Sequence, residues 1–245
     1  MGMKMKDYYN IAYAKMLGNK IKVQYPEFKL NQFLKFIELN LDDKPFLKRQ
    51  DLFVDGFDKF MTHNYKDDLE VFGKLLGPEL ETPEGMFKEG WWLWPIGRYI
   101  ERHGLVDREL SILFIYELTK RYTGEFAIRP LLNDDPKATL EIMIQWSMDP
   151  AVHVRRLASE GMRINLPWSK KSVASLEFPE LFRKVLDNLK EDQEKFVMKS
   201  VGNNLNDLMK ERPELAEEII NDWQKDEISK STAWIIQHGL RSRKK

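Results

Sequence analysis

DPAVHVRR, at residues 149–156, recurs in altered form as DQEKFVMK at residues 192–199. The two aspartates are 43 residues apart, and Val154 and Val197 keep the same spacing. Two-helix repeats of the HEAT and armadillo types have periods of about 40–47 residues. The repeat therefore predicts an all-α protein, a HEAT-like or armadillo-type solenoid of stacked helix pairs with a concave basic face.

The rest of the chain also favours helices. Apolar residues recur at intervals of three and four along residues 33–41, 52–60 and 69–76, and no alternating run is flanked by a hairpin turn. A helix is predicted over 107–122, and a shorter one near 125–132. Asp135-Pro136 is a good helix start, and that helix should run to about Trp146. No low-complexity linker interrupts the chain, so we expect one domain over residues 1–245.

Composition excludes several classes of function. The 39 basic and 39 acidic side chains balance, so any basic surface must come from local segregation of charge. The absence of cysteine excludes disulfides and thiolate chemistry, and the four histidines show no metal-ligand spacing. No stretch approaches the roughly 20 apolar residues of a membrane span. We therefore expect a cytoplasmic protein, in a bacterial-type cytosol or nucleoid, with no metal, cofactor or membrane partner.

The repeated segments predict a shared polar face. If both form helices, valines and leucines pack inward, and Arg156, Glu160 and Arg163 share another face through spacings of four and seven. The matching positions 43 residues on are Lys199, Asn203 and Asn206. Such a face is either solvated, with weak ion pairs, or a ligand surface. Asparagine is a poor helix former, and the run from Asn203 to Asn206 favours a ligand surface.

Five strings give the chain a family resemblance. They are EFAIRP at 125–130, VRRLASEG at 154–161, LPW at 166–168, SVGNNLND at 200–207 and WIIQHGLR at 234–241. In this order the strings resemble the AlkC family of DNA alkylation repair glycosylases, with the strongest match over residues 91–241. Ile164-Asn165 and Gly202 depart from the family's pattern. Because the sequence ends at Lys245, we expect no C-terminal immunoglobulin-like domain of the kind that some members carry.

The resemblance implies a function. Enzymes of this family hydrolyse the N-glycosidic bond of cationic alkylated bases such as 3-methyladenine, 3-methylcytosine and 1-methyladenine, and start base excision repair. They are thought to act without fully flipping the base out of the helix. The implied partner is double-stranded DNA with alkylated bases, and the implied state is a monomer. Two alternatives remain open: an inactive DNA-binding relative and a protein-binding repeat scaffold.

The resemblance also implies site residues. Three acids occupy family positions and are the catalytic candidates: Glu125, Asp207 and Glu160. The candidates for DNA or substrate binding are Trp168, Arg129, Arg155, Arg156, Arg163, Lys199, Asn203, Asn204, His238 and Arg241. The residues alone allow simpler interpretations: Glu125 could favour the start of a short helix, and Asp207 could be an ordinary exposed acid.

Overall fold

A computed structural model describes residues 4–244, and its secondary structure over that range is helical, without strands. The chain divides into two compact units, the first ending at Tyr122 and the second beginning at Thr123. No helix within the described range is long and apolar enough to cross a membrane. The all-α class predicted from the sequence is confirmed, whereas the expectation of a single domain stays a prediction.

The described part of the first unit, residues 4–122, contains eight α-helices. They are α1 Met5–Tyr8, α2 Ile11–Gln24, α3 Leu30–Asn40, α4 Phe46–Phe60, α5 Tyr65–Gly73, α6 Gly85–Lys88, α7 Trp94–His103 and α8 Arg108–Thr119. Short 3₁₀ turns cover Trp91–Leu93 and Gly104–Val106. Aromatic rings from several helices fill the core. Tyr9 and Tyr13 extend from this core to donate to the backbone carbonyls of Trp91 and Trp92, at 2.6 and 2.7 Å, and thereby fix the tryptophan-rich segment.

Over residues 123–244, the second unit contains seven α-helices. They are α9 Ile128–Asp134, α10 Pro136–Trp146, α11 Val152–Glu160, α12 Pro179–Leu189, α13 Lys195–Glu211, α14 Pro213–Trp223 and α15 Lys230–Gly239. The 3₁₀ turns of this unit are Ala174–Glu177 and Leu240–Lys244. The predicted helix over 107–122 is confirmed as α8, which Asp107 caps, and the helix from Pro136 to Trp146 is confirmed as α10. The short helix begins at Ile128, three residues later than Glu125, which lies in the preceding turn.

Three successive helix pairs form the repeat: α10 with α11, α12 with α13, and α14 with α15. The first helix of each pair begins with a proline, at positions 136, 179 and 213. The first N–H groups of a helix have no acceptor within the helix, so a proline there costs no hydrogen bond. Each second helix packs on the second helix of the next pair, because α11 contacts α13 and α13 contacts α15. The first helices of the first two pairs begin 43 residues apart, and those of the second and third pairs begin 34 residues apart. The third pair therefore does not fit the 43-residue period.

The repeated aspartates have the same role in both copies. Asp149 Oδ1 accepts from the N–H of Ala151 at 2.7 Å, and Asp192 Oδ1 accepts from the N–H of Glu194 at 2.8 Å. Each aspartate closes the turn that leads into its helix. Arg155 joins the copies, since its Nε donates to Asp192 Oδ2 at 2.7 Å and its Nη1 donates to the carbonyls of Asp149 and Pro150.

Two glycines allow α13 and α15 to pack closely. A Cβ at Gly202 would lie 2.8 Å from Cδ2 of His238, and a Cβ at Gly239 would lie 2.7 Å from Cβ of Leu205. The Cβ of an alanine would be too close to these neighbours at either position. Gly202, which departs from the family's sequence pattern, therefore leaves room for the His238 ring.

The regular repeat is broken after α11. This helix ends at Glu160, whereas its counterpart α13 continues to Glu211. A loop of residues 161–178 replaces the missing turns and leads to α12. Arg163 thus lies in the loop and not on the helix, which corrects the prediction that it continues the helical face of Arg156 and Glu160.

Candidate functional site

Glu125 is held in the turn before α9. Its Oε2 accepts from Arg156 Nη1 at 2.6 Å and from Thr123 Oγ1 at 3.1 Å. The N–H of Glu125 donates in return to Thr123 Oγ1 at 3.2 Å. Arg156 comes from α11, and its guanidinium also lies 4.7 Å from the centre of the Phe196 ring. These contacts give the buried Glu125 side chain a fixed position beside α11.

Glu160 ends α11 and lies between two guanidiniums. Its Oε1 accepts from Arg163 Nη1 at 2.8 Å and lies 3.6 Å from Arg156 Nη2. Its Oε2 accepts from Ser200 Oγ at 2.6 Å. Burial by itself would raise the pKa of the Glu160 carboxyl, but the charges of Arg156 and Arg163 and the hydrogen bond from Ser200 lower the pKa below its usual value. Glu160 is therefore an ionised, buried carboxylate at neutral pH.

Asp207 belongs to α13 and receives the other side of Arg163. Its Oδ2 accepts from Arg163 Nε at 3.1 Å and from the backbone N–H of Asn165 at 3.2 Å. Arg163 Nη2 closes the arrangement by donating to the carbonyl of Asn165 at 3.3 Å. The altered Ile164-Asn165 turn thus holds Asp207 through its backbone.

Together these side chains form a line of alternating charge, from Glu125 through Arg156, Glu160 and Arg163 to Asp207. The structure brings all three predicted catalytic acids into this one network, which we call the carboxylate line. Three carboxylates and two guanidiniums leave one excess negative charge. The five side chains are only 5 to 12% exposed, so solvent screens their interactions weakly.

Basic and aromatic side chains flank the line on α13 and α15. Asn203 Oδ1 accepts from His238 Nε2 at 3.1 Å and from Arg241 Nη2 at 2.9 Å. The His238 ring stacks on Trp234, with centroids 4.8 Å apart, and Lys195 Nζ lies 3.1 Å from the centre of Trp234. Burial and neighbouring cations, chiefly Arg241, lower the pKa of His238 to about 4, so the ring is neutral at pH 7. Lys199 is exposed on α13.

Trp168 lies at the tip of the 161–178 loop. Its side chain is 53% exposed, and its φ of 64° is in the left-handed region that non-glycine residues rarely adopt. Such backbone strain persists only where surrounding structure imposes it, and it is often found at ligand sites. The role of Trp168 in substrate binding stays a prediction.

Three predicted DNA-binding side chains are instead committed to internal contacts. Arg129 is buried and donates to the backbone carbonyls of Gly161, Arg163 and Lys170, which anchors the 161–178 loop. Arg155 bridges the two repeat turns, as described above. Asn204 is 1% exposed and donates to Ser159. The structure gives these three side chains internal partners, and their role in holding DNA stays a prediction.

Sequence reasoning missed the residues that support the acids. Thr123, Ser200 and the Asn165 backbone each hydrogen-bond to one of the three carboxylates. Thr123 carried a weak signal, since a hydroxyl two residues before an acid favours a local turn. Ser200 carried none, because its partner is 40 residues away. Lys195 and Trp234 were also not predicted as parts of the site.

Comparison with known proteins gives three similarities. A sequence model of the family described as DNA alkylation repair enzyme matches residues 124–241. The uncharacterized protein YhaZ of Bacillus subtilis (strain 168) is 32% identical over 241 residues, which is 97% of this chain and 64% of YhaZ. The Pseudomonas fluorescens alkylpurine DNA glycosylase AlkC, bound to DNA containing an abasic site analog, superposes with a TM-score of 0.86 at 32% identity. That superposition covers 100% of this chain and 66% of AlkC.

These similarities confirm the resemblance that the sequence motifs indicate. The chain spans about two thirds of the length of both relatives.

Proposed function

We propose that the chain is a DNA glycosylase of the DNA alkylation repair enzyme family, whose sequence model matches residues 124–241, and that it releases cationic alkylated bases from double-stranded DNA. The observation that carries the proposal is the carboxylate line with its single excess negative charge. The substrates proposed are 3-methyladenine, 3-methylcytosine and 1-methyladenine. The AlkC complex supports DNA as the partner, because that relative is bound to DNA containing an abasic site analog.

The chemistry of these lesions fits such a line. Alkylation gives the base a positive charge, so the base leaves without strong general-acid help. The sugar then acquires an oxocarbenium-like charge, as in glycoside hydrolysis. A site stabilises that state with fixed negative charge and an oriented water, which cost no reorganisation during the reaction. A sugar cation beside the carboxylate line would balance the one negative charge that the two guanidiniums leave.

The contacts suggest different duties for the three acids. Glu125 and Asp207 occupy the two ends of the line, and we assign them charge stabilisation and water positioning at the sugar. Glu160 lies at the centre, engaged by two guanidiniums and a hydroxyl, which fits a positioning and electrostatic role. The charges of Arg156 and Arg163 lower the pKa of Glu160 and keep this acid ionised.

DNA binding is assigned to the accessible side chains. Trp168 would stack on the lesion nucleotide or its sugar, since aromatic faces accept any base. Lys199 and Arg241 would contact phosphates, and neutral His238 would act through its hydrogen bond to Asn203. The cations would attract the phosphates of the DNA backbone. The neighbouring carboxylates would repel the same phosphates and so keep them away from the acids.

The catalytic assignment is tested with Glu125→Gln and Asp207→Asn in single-turnover release of methylated base. Each variant should slow release by roughly a hundredfold or more, because fixed charge at the developing cation is lost. Retention of the same DNA on a native gel should change little. Glu218→Gln is the matched control, since it removes an exposed carboxylate of the same unit. Release at the wild-type rate by both site variants would remove the acids from the mechanism.

The same two readouts separate the alternatives. Base release by the wild-type protein identifies a glycosylase. Retardation of methylated DNA without release identifies an inactive binder, and neither result favours a protein-binding scaffold.

Phosphate binding is tested with Lys199→Ala. Loss of one phosphate contact should weaken binding on any sequence and flatten the dependence of log K on log salt by up to about one unit. Lys184→Ala, at an exposed position on α12, should leave the slope unchanged. An unchanged slope for Lys199→Ala as well would remove this lysine from the DNA surface.

A further inference from the structure

A buried run of polar side chains crosses the contact between α11 and α13 and ends on Glu160. Its members alternate between the helices: Asn204 on α13, Ser159 on α11, then Ser200 on α13. All three are at most 2% exposed. Their neighbours along the helices, such as Leu157 and Val201, are the apolar residues expected in such a contact.

The distances form a continuous hydrogen-bonded path. Asn204 Nδ2 lies 2.9 Å from both the carbonyl and the Oγ of Ser159. Ser159 Oγ lies 3.0 Å from Ser200 Oγ. Ser200 Oγ lies 2.6 Å from Glu160 Oε2, which is a short bond of the kind that hydroxyls form with carboxylates.

Donor capacity gives the path a direction. Each hydroxyl carries one proton, and an ionised carboxylate can only accept. The Ser200 proton therefore goes to Glu160. Ser159 Oγ accepts from the Asn204 amide and lies within hydrogen-bond distance of Ser200 Oγ. The Asn204 amide thus holds the Ser159 hydroxyl in place beside the Ser200 hydroxyl.

A simple packing role would not need this arrangement. Apolar residues fill a helix contact without the cost of burying polar groups. This network is directed at one oxygen of one acid in the carboxylate line. We propose that Ser200 is a positioning residue that holds the Glu160 carboxylate for base release, with Ser159 and Asn204 orienting its hydroxyl. The inference rests on the proposed function.

The charge around Glu160 supports this role. Arg156 and Arg163 face the Oε1 of Glu160, and Glu125 and Asp207 lie beyond these two arginines. From α13, the Ser200 hydroxyl donates a hydrogen bond to the Oε2 of Glu160. Without that hydroxyl, Oε2 loses a donor in a buried setting. The pKa of Glu160 should then rise, because the hydrogen bond is one of the causes that lower it.

The test compares Ser200→Ala with Ser200→Thr, which keeps the hydroxyl. For Ser200→Ala, the single-turnover rate should fall roughly tenfold to a hundredfold, the effect of one lost hydrogen bond to a charged group, with DNA affinity unchanged. The acid limb of the pH–rate profile should move to higher pH, and Ser200→Thr should restore both. Ser175→Ala removes another buried hydroxyl, bonded to the Met162 carbonyl, and should alter neither rate nor profile.

A second measurement is independent of base release. Carboxyl ¹³C NMR of the full chain, with Glu160 assigned through Glu160→Gln, should show a higher titration midpoint in Ser200→Ala than in wild type. If wild type releases no base, the proposed glycosylase fails, and this titration still tests the contact. An unchanged Glu160 midpoint together with an unchanged rate profile would overturn the proposal. If Ser200→Ala does not fold, Ser159→Ala should shift the same readouts in the same direction, and no shift overturns it.

Discussion

Arg163→Lys keeps the positive charge of the carboxylate line and removes the fork of the guanidinium. Arg163 uses three nitrogens to reach Glu160, Asp207 and the carbonyl of Asn165. One ammonium cannot reproduce this geometry. A lost charge-assisted bond costs about 1.5–3 kcal/mol, and the lost carbonyl bond costs about 1 kcal/mol more. We therefore expect the free energy of unfolding to fall by about 3 kcal/mol.

Arg183→Lys is the matched control. Arg183 also has three partners, which are the acids Asp187, Glu218 and Asp222. Its acidic partners are 28 to 63% exposed, whereas those of Arg163 are only 5 to 6% exposed. Exposed ion pairs contribute about 0–1 kcal/mol, so this variant should lose no more than that.

The assay is urea unfolding followed by far-ultraviolet circular dichroism, with the slope against urea checked for constancy. Lowering the pH adds a second signature. Because the folded-state pKa of Glu160 is below the ordinary 4.5, its stabilisation is present above that pH and is lost as the pH falls through the folded value. The variant loses the hydrogen bond from Arg163, which is one of the causes that lower that pKa, so the loss of stability relative to wild type should become smaller below pH 4.5. Equal losses for Arg163→Lys and Arg183→Lys at pH 7 would refute the reasoning.

Three further predictions concern the surroundings of the line. Gly202→Ala should lower the free energy of unfolding by about 1–2 kcal/mol, because the clash with His238 exceeds the gain in helix propensity; a more stable variant in a urea melt would contradict this. The His238 ring should titrate near pH 4 by NMR, and stability should fall as the pH drops from 6.5 toward 4, since the unfolded chain takes up the proton first; a midpoint near 6.5 would oppose it. Trp168→Gly should be about 1 kcal/mol more stable than Trp168→Ala, because glycine tolerates the φ of 64°, while both lose the same DNA affinity in a binding titration; equal stability would argue against strain.

The sequence predicted the parts of the fold that depend on local chemistry. Asp135-Pro136 marks the start of α10, and the aspartates at 149 and 192 mark equivalent turns. The third helix pair was not predicted, because α13 joins α14 through Arg212 alone whereas α11 is followed by the long 161–178 loop. The two repeat lengths therefore differ, and a fixed period cannot match both.

The acids of the candidate site were predicted from the sequence, whereas the contacts between them were predicted only in part. All three acids meet, but the links between them depend on long side chains that span large separations in sequence. Arg156 reaches back to Glu125, and Arg163 reaches forward to Asp207 from a loop predicted as helix. Asn203 and Asn204 are adjacent in sequence, yet one flanks the site and the other is buried. Adjacent residues point about 100° apart around a helix, so Asn204 faces Ser159 of α11 while Asn203 faces His238.

Tandem-repeat proteins ordinarily lengthen or shorten by gaining or losing whole units, because each unit contacts only its neighbours. The carboxylate line removes that freedom here. Its members come from the turn before α9, from α11 with its loop, and from α13, and each pair of neighbours is in direct contact. A unit duplicated between any two of them would separate an arginine from its acid and leave both charges buried. We expect change in the length of this array to be confined to its ends.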